Sequence, residues 1–119
     1  MSLRSLLDRA LVSRSELEAH EEHREVLASG CTPVGRLRPR QRVRVTGVLR
    51  SVTVRPRQGV RAFVAELYDG TGAVRLVFLG RRSVPGLVAG RHVLAEGLVA
   101  QVDGENVLFN PRYELKVVR

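Results

Sequence analysis

The chain has 119 residues, 44% of them hydrophobic, and a net charge of +8 from 20 basic and 12 acidic side chains. That length fits one domain with an appendage and a modest core, and no apolar run approaches the roughly 18 residues that would span a bilayer. Asp8 and Arg9 interrupt the opening stretch before a signal-peptide core can form, and the lone cysteine, Cys31, allows no intrachain disulfide, so the reading is cytoplasmic.

Residues 1–30 read as a helical extension. Leu3, Leu6, Leu7, Ala10 and Leu11 recur at helical spacing. Ser13 with Glu16, and Ser15 with Glu18, have the offset of a capping box, so the helix breaks and restarts near Ser13. Gly30 suits a C-terminal stop, and Pro33 forbids continuation. The segment from Glu16 to Glu25 is too polar for a buried helix. It suits a solvated arm, a lid on one end of the domain, or a dimerisation element that pairs with a copy of itself or a protein partner.

From residue 34 to residue 117 the period becomes that of strands. Arg42 to Thr46 alternates, with Val43 and Val45 inward and Arg42 and Arg44 outward, and the strand runs on to Val54. Gly47 within it suggests a bulge or a sharp bend. Pro56-Arg57-Gln58-Gly59 is a turn. Val60 to Tyr68 is a second strand, with Phe63, Ala65 and Leu67 on one face. Asp69-Gly70-Thr71-Gly72 is a tight connection to a third strand, Ala73 to Leu79. Gly80 to Gly90 is a crossover loop or short helix. Arg91 to Val102 is a fourth strand containing Gly97, Asp103-Gly104 a hairpin turn, and Glu105 to Val117 a fifth strand with a break at Pro111. Five strands, two of them glycine-bent, predict a closed barrel, because a flat sheet of this size would expose two edges. The fold class is thus mainly all-β, a five-stranded barrel with an N-terminal α-helical extension.

Charge is unevenly spread. Residues 1–30 carry four arginines against six carboxylates, whereas residues 31–119 carry a net +10, with nine arginines and no acidic residue from Arg36 to Arg61. A basic domain behind a mildly acidic extension points to a polyanionic partner. Nineteen of the 20 basic residues are arginine, which is also what a GC-rich genome would produce.

Val45-Thr46-Gly47-Val48, the run from Val64 through Asp69-Gly70-Thr71-Gly72, Val74 to Phe78, Pro85 to Arg91 and Ala95-Glu96-Gly97 together resemble the OB-fold nucleic-acid-binding domain. The pattern is similar to the wedge domain of RecG-type helicases and to the OB domains, of the tRNA-anticodon-binding kind, of class II aminoacyl-tRNA synthetases. The whole chain, with Asn110 to Leu115, resembles small stand-alone OB-fold proteins of high-GC Gram-positive bacteria. The resemblance implies a ligand lying across the second and third strands, flanked by the loop joining strands one and two and the loop joining four and five. The first loop holds Arg55, Arg57 and Arg61. The second holds Asp103 and Glu105, opposite in sign to what phosphate needs.

Arg36, Arg38, Arg40, Arg42 and Arg44 alternate and, if extended, point one way, either as a phosphate track or as a charged edge that deters strand pairing. Arg50, Arg55, Arg57, Arg61 and Arg75 form a stronger group, because Arg75 alternates away from Val74 and Leu76 and the others flank the first loop. Arg81-Arg82 either clamps a phosphate or solubilises a loop. Phe63 and Phe78 share the parity of core residues; Tyr68 has the opposite parity and is left for stacking. The candidate nucleic-acid-binding residues are therefore Arg44, Arg50, Arg55, Arg57, Arg61, Tyr68, Arg75, Arg81 and Arg82.

Other motifs lead elsewhere. His20-Glu21-Glu22-His23 lacks the metalloprotease spacing, since position 24 is Arg24, and reads as a surface helix rather than a metal site. Asp69-Gly70-Thr71-Gly72 lacks the Gly-Lys-Ser/Thr ending of a phosphate loop. Cys31 reads as an inert linker thiol, and His92 as a core or edge histidine. No catalytic set, cofactor motif or metal cluster assembles. The expectation is a non-enzymatic binder of single-stranded DNA or RNA held by arginine, salt-sensitive and weakly sequence-specific. The alternative is a protein–protein interaction module that uses the barrel and the helical extension.

Overall fold

The computed structural model describes residues 30–117; the helical extension expected over residues 1–30 lies, but for Gly30, outside them. The alternating stretches form β1 (Arg42–Arg57), β2 (Val60–Tyr68), β3 (Ala73–Leu79), β4 (His92–Val102), β5 (Glu105–Phe109) and β6 (Arg112–Leu115), preceded by one 3-10 turn at Val34–Arg36. The expected second and third strands match to the residue. The expected fifth is divided at Asn110-Pro111, where Asn110 takes φ 46° and its side-chain oxygen accepts from the Leu79 N–H at 3.0 Å. β5 and β6 remain two lengths of one path, because both pair with β4, β5 at Val99 to Val102 and β6 at Val93 to Glu96.

The pairing closes on itself. β1, β2 and β3 form an antiparallel meander, β3 runs parallel to β5, β5 pairs with β4, and β4 returns to β1. The result is a ring of five strands, barrel-like, in a mainly β structure. Closure requires β1 to serve two neighbours. Its first half, Arg42 to Val48, pairs with β4, and its second half, Val48 to Arg57, pairs with β2.

The change of partner falls at Val48, next to Gly47. A Cβ there would lie 2.5 Å from the Tyr68 carbonyl oxygen and 2.8 Å from Leu67 Cδ2, so only glycine lets the two backbones approach. The bulge itself sits three residues later than Gly47: Leu49 faces Leu67 and Ser51 faces Glu66, which leaves Arg50 as the extra residue. The remaining hairpins are tight. Gln58-Gly59 and Asp103-Gly104 both have positive φ at each residue, the type I′ pattern that matches strand twist.

Inward positions fill the ring: Val43, Val45 and Leu49 from β1, Phe63, Ala65 and Leu67 from β2, Val74, Leu76 and Phe78 from β3, with Val93, Ala95, Val99 and Leu108 opposite. Phe63, Phe78 and Tyr113 stack edge to face in a row, with centroids 6.1 and 5.9 Å apart. The expected core role of Phe63 and Phe78 is thus met. The segment between β3 and β4 is a loop, not a helix, and contributes buried Val84 and Leu87 to the same core.

The β2–β3 connection is more than a turn. Asp69 is 0% exposed. Its Oδ1 accepts from the Thr71 N–H at 2.9 Å, the Thr71 hydroxyl at 2.6 Å and the Gly72 N–H at 3.2 Å, while its Oδ2 accepts from the Val34 N–H at 2.8 Å. The Gly35 N–H donates to Thr71 Oγ1 at 2.9 Å. One carboxylate therefore shapes its own loop and fastens the 3-10 turn to the ring of strands.

The arginine ladder does not form. Arg36 closes the 3-10 turn, and Arg40 takes φ 67°, so Arg36, Arg38 and Arg40 precede the strand and only Arg42 and Arg44 share its outer face. Pro33 and Pro39 favour turns on either side, which the alternation of arginines alone does not reveal.

Candidate nucleic-acid interface

Strand parity past the bulge defines an outer face opposite the core. Ser51, Thr53, Arg55 and Arg57 of β1 face Glu66, Val64, Ala62 and Val60 of β2; these face Arg75, Val77 and Leu79 across β2–β3, and Arg75 and Val77 face Val107 and Phe109 of β5. The middle of this face is apolar. Ala62, Val77 and Val107 are buried and pack with Val64, Val102 and Phe109 as a second cluster, separate from the core inside the ring.

The two type I′ hairpins rise on either side of that floor. Between them lies a groove of about 550 Å³, with Arg55, Pro56, Arg57 and Gln58 on the β1–β2 side and Val102, Asp103 and Glu105 on the β4–β5 side; Arg75 also lines it. A shallower groove of about 400 Å³ continues past the hairpin tip, lined by Arg57, Gln58, Val60, Leu79 and Phe109.

The nine sequence-picked residues separate into groups. Arg55, Arg57 and Arg75 line the main groove together. Arg50 and Tyr68 meet each other beside it: the guanidinium carbon lies 4.2 Å from the ring centroid. Tyr68 is half-buried and capped by that cation, so it does not offer the bare stacking platform its parity suggests. Arg61 faces Pro56 and has the parity opposite to Ala62, which turns it away from the groove. Its carbonyl accepts from the Gly80 N–H at 2.6 Å, so the exposed Arg81 and Arg82 follow at the same end of the barrel, outside the groove. Arg44 lies on the β1–β4 side opposite Glu96. Of the candidate arginines, three thus share one groove and the others lie elsewhere. The cause is the bulge at Arg50 and the tight hairpin at Gln58-Gly59, which assign neighbouring arginines to different faces.

Three features escape the arginine-centred reading. Phe109 sits on the outer face with the Arg57 guanidinium 5.0 Å from its centroid; its parity with Glu105 and Val107, against Leu108, was the available signal. The aliphatic floor follows from the same parity at Val64 and Val77. The third is ion pairing. Arg50 pairs with Glu66, and Arg75 pairs with Glu105 at 3.1 Å.

Among the described residues no group of three or more His, Cys, Asp or Glu side chains is arranged to hold a metal, and no helix is long and apolar enough to cross a membrane. His20 and His23 lie outside the described residues. Cys31 is buried.

No protein-family model matches the chain, and no curated protein sequence does. The fold has a counterpart among solved structures. A structure of RecG bound to a three-way DNA junction superposes with a TM-score of 0.57 at 23% identity, over 66% of this chain and 11% of that one. At that identity the likeness is one of fold, and this chain corresponds to a small part of RecG's length.

Proposed function

We propose that the chain is a non-catalytic, cytoplasmic binding protein built on an OB-type barrel, and that its ligand is single-stranded DNA or RNA. The observation that carries this reading is the groove between the two hairpins, which Arg55, Arg57 and Arg75 line together above an apolar floor, with Asp103 and Glu105 on its other wall. Guanidinium forks suit phosphate oxygens, and aliphatic side chains give unstacked bases a surface without demanding a sequence. The likeness in fold to a DNA-bound protein and the net charge of +8 support the same reading. Binding consists of phosphate neutralisation and counterion release, with no bond made or broken.

The test is fluorescence anisotropy of labelled single-stranded DNA and RNA oligomers over a salt series. The expected result is binding whose log–log salt slope is about −0.7 per phosphate neutralised. Failure to bind at roughly 50 mM salt, where electrostatic association is strong, overturns the reading. A second reading, a protein-interaction module, is favoured by one observation: the groove edge beyond Phe109 exposes Val60 and Leu79, and both outer-face aromatics are already covered by arginines. In that case a protein partner occupies the face and oligonucleotides do not compete for it.

A further inference from the structure

Four charged residues cross the outer face in succession, one from each of four strands. Arg50 of β1 is ion-paired to Glu66 of β2, Glu66 stands directly opposite Arg75 of β3, and Arg75 is ion-paired to Glu105 of β5 at 3.1 Å. The signs alternate, so the ladder is neutral although it lies in a strongly basic domain. The side chains stay accessible, at 48 and 32% exposure for the first pair and 45 and 56% for the second. Arg75 and Glu105 also line the groove between the hairpins.

Exposed ion pairs of this kind contribute little and exchange partners at small cost. A carboxylate and a phosphate diester present the same paired oxygens to a guanidinium. We infer that Glu105 and Glu66 are internal competitors of the ligand's phosphates: each holds its arginine in place when the face is empty and yields it when a phosphodiester arrives. Glu105 then sets affinity and salt sensitivity from beside Arg75, on the wall opposite Arg55 and Arg57. Because the freed carboxylate stays beside the incoming phosphate, part of the attraction is cancelled, and the protein releases its ligand more readily than its arginines alone would allow. The same carboxylates orient the arginines across the groove before binding, which lowers the ordering cost of each contact. This inference rests on the nucleic-acid reading and adds residues of the opposite charge to it.

The experiment is a double-mutant cycle on the whole chain, read by anisotropy of labelled single-stranded DNA over a salt series. Glu105→Gln is expected to tighten binding about two- to five-fold, the range open to an exposed pair, and to steepen the salt slope by up to about 0.7. In an Arg75→Ala background the same change is expected to gain almost nothing. Asp103→Asn removes the same charge from the same wall without an ion pair to Arg75, so its smaller gain should be equal in both backgrounds. Glu66→Gln repeats the test through Arg50, and circular dichroism checks that each variant folds. An unchanged affinity for Glu105→Gln when the wild type binds overturns the inference alone. So does a gain that survives undiminished in the Arg75→Ala background, which would mark a net-charge effect. If neither wild type nor Glu105→Gln binds at roughly 50 mM salt, where electrostatic association is strong, the inference and the nucleic-acid reading both fall.

Discussion

Asp69 and Glu105 are both carboxylates beside hairpin turns of a basic domain, yet they stand in opposite physical situations. Asp69 is fully buried and accepts from four donors, three of them backbone N–H groups. Glu105 is more than half exposed and holds one arginine side chain. The difference teaches how charge is used in this fold. A carboxylate that satisfies backbone donors out of water cannot be exchanged without leaving those donors stranded, so it serves the fold. A carboxylate that meets only a solvated guanidinium can leave it at small cost, so the pair is free to exchange. The same contrast separates the turn joining β2 to β3, whose work is internal, from the two hairpins around the groove.

The sharpest way to break this comparison is to remove the buried member. Asp69→Ala strands three backbone donors and is expected to cost about 3 kcal/mol or more, measured by urea denaturation. Asp69→Asn, which keeps one acceptor oxygen, should fall between. A loss for Asp69→Ala no larger than that for Glu105→Ala would remove the distinction. Gly47→Ala comes next. Its Cβ would run into the Tyr68 carbonyl, and the expected loss is about 1–3 kcal/mol, as for other overpacked sites, seen as a lowered Tm.

On the exposed side the effects move from stability to binding. Arg57→Ala should weaken oligonucleotide affinity roughly five-fold, about 1 kcal/mol for a charge-assisted contact shared with solvent, and flatten the salt slope. Its stability loss should be no more than the roughly 0.5–1 kcal/mol of an exposed cation–π contact. An unaltered salt slope would show that Arg57 touches no phosphate. Arg44→Ala is the smallest. It lies across β4 from the groove, and both stability and affinity should stay within about 0.5 kcal/mol of wild type, as at ordinary surface sites.

Much of the fold was legible because strand alternation is a local property. Val60 to Tyr68 and Ala73 to Leu79 read correctly from residue parity and from the flanking glycines, and Pro111 marked the break that divides β5 from β6. The site was only partly legible, because it depends on register between strands. Nothing local announces that Arg50 is a bulge residue, yet the bulge decides which of the later β1 side chains share a face with Arg75. Nor does local pattern show that Asp69 reaches Val34 or that Glu105 reaches Arg75, since both contacts join segments far apart in the chain. Composition weighed arginines by number; the structure weighs them by what they already hold.

β1 has a consequence in time as well as in space. Its pairing with β2 is reached through the two-residue turn at Gln58-Gly59, while its pairing with β4 joins Arg42 to Leu98. Chain segments that are close in sequence meet quickly, whereas distant and parallel pairings, such as β3 with β5, wait on the closing of long loops. The meander is therefore expected to assemble first and the ring to lock last, with one strand belonging to both events. Pulse-labelled hydrogen exchange should find amides of Phe63 to Leu67 protected before those of Val43 and Val45; simultaneous protection would mean that the barrel closes in a single step.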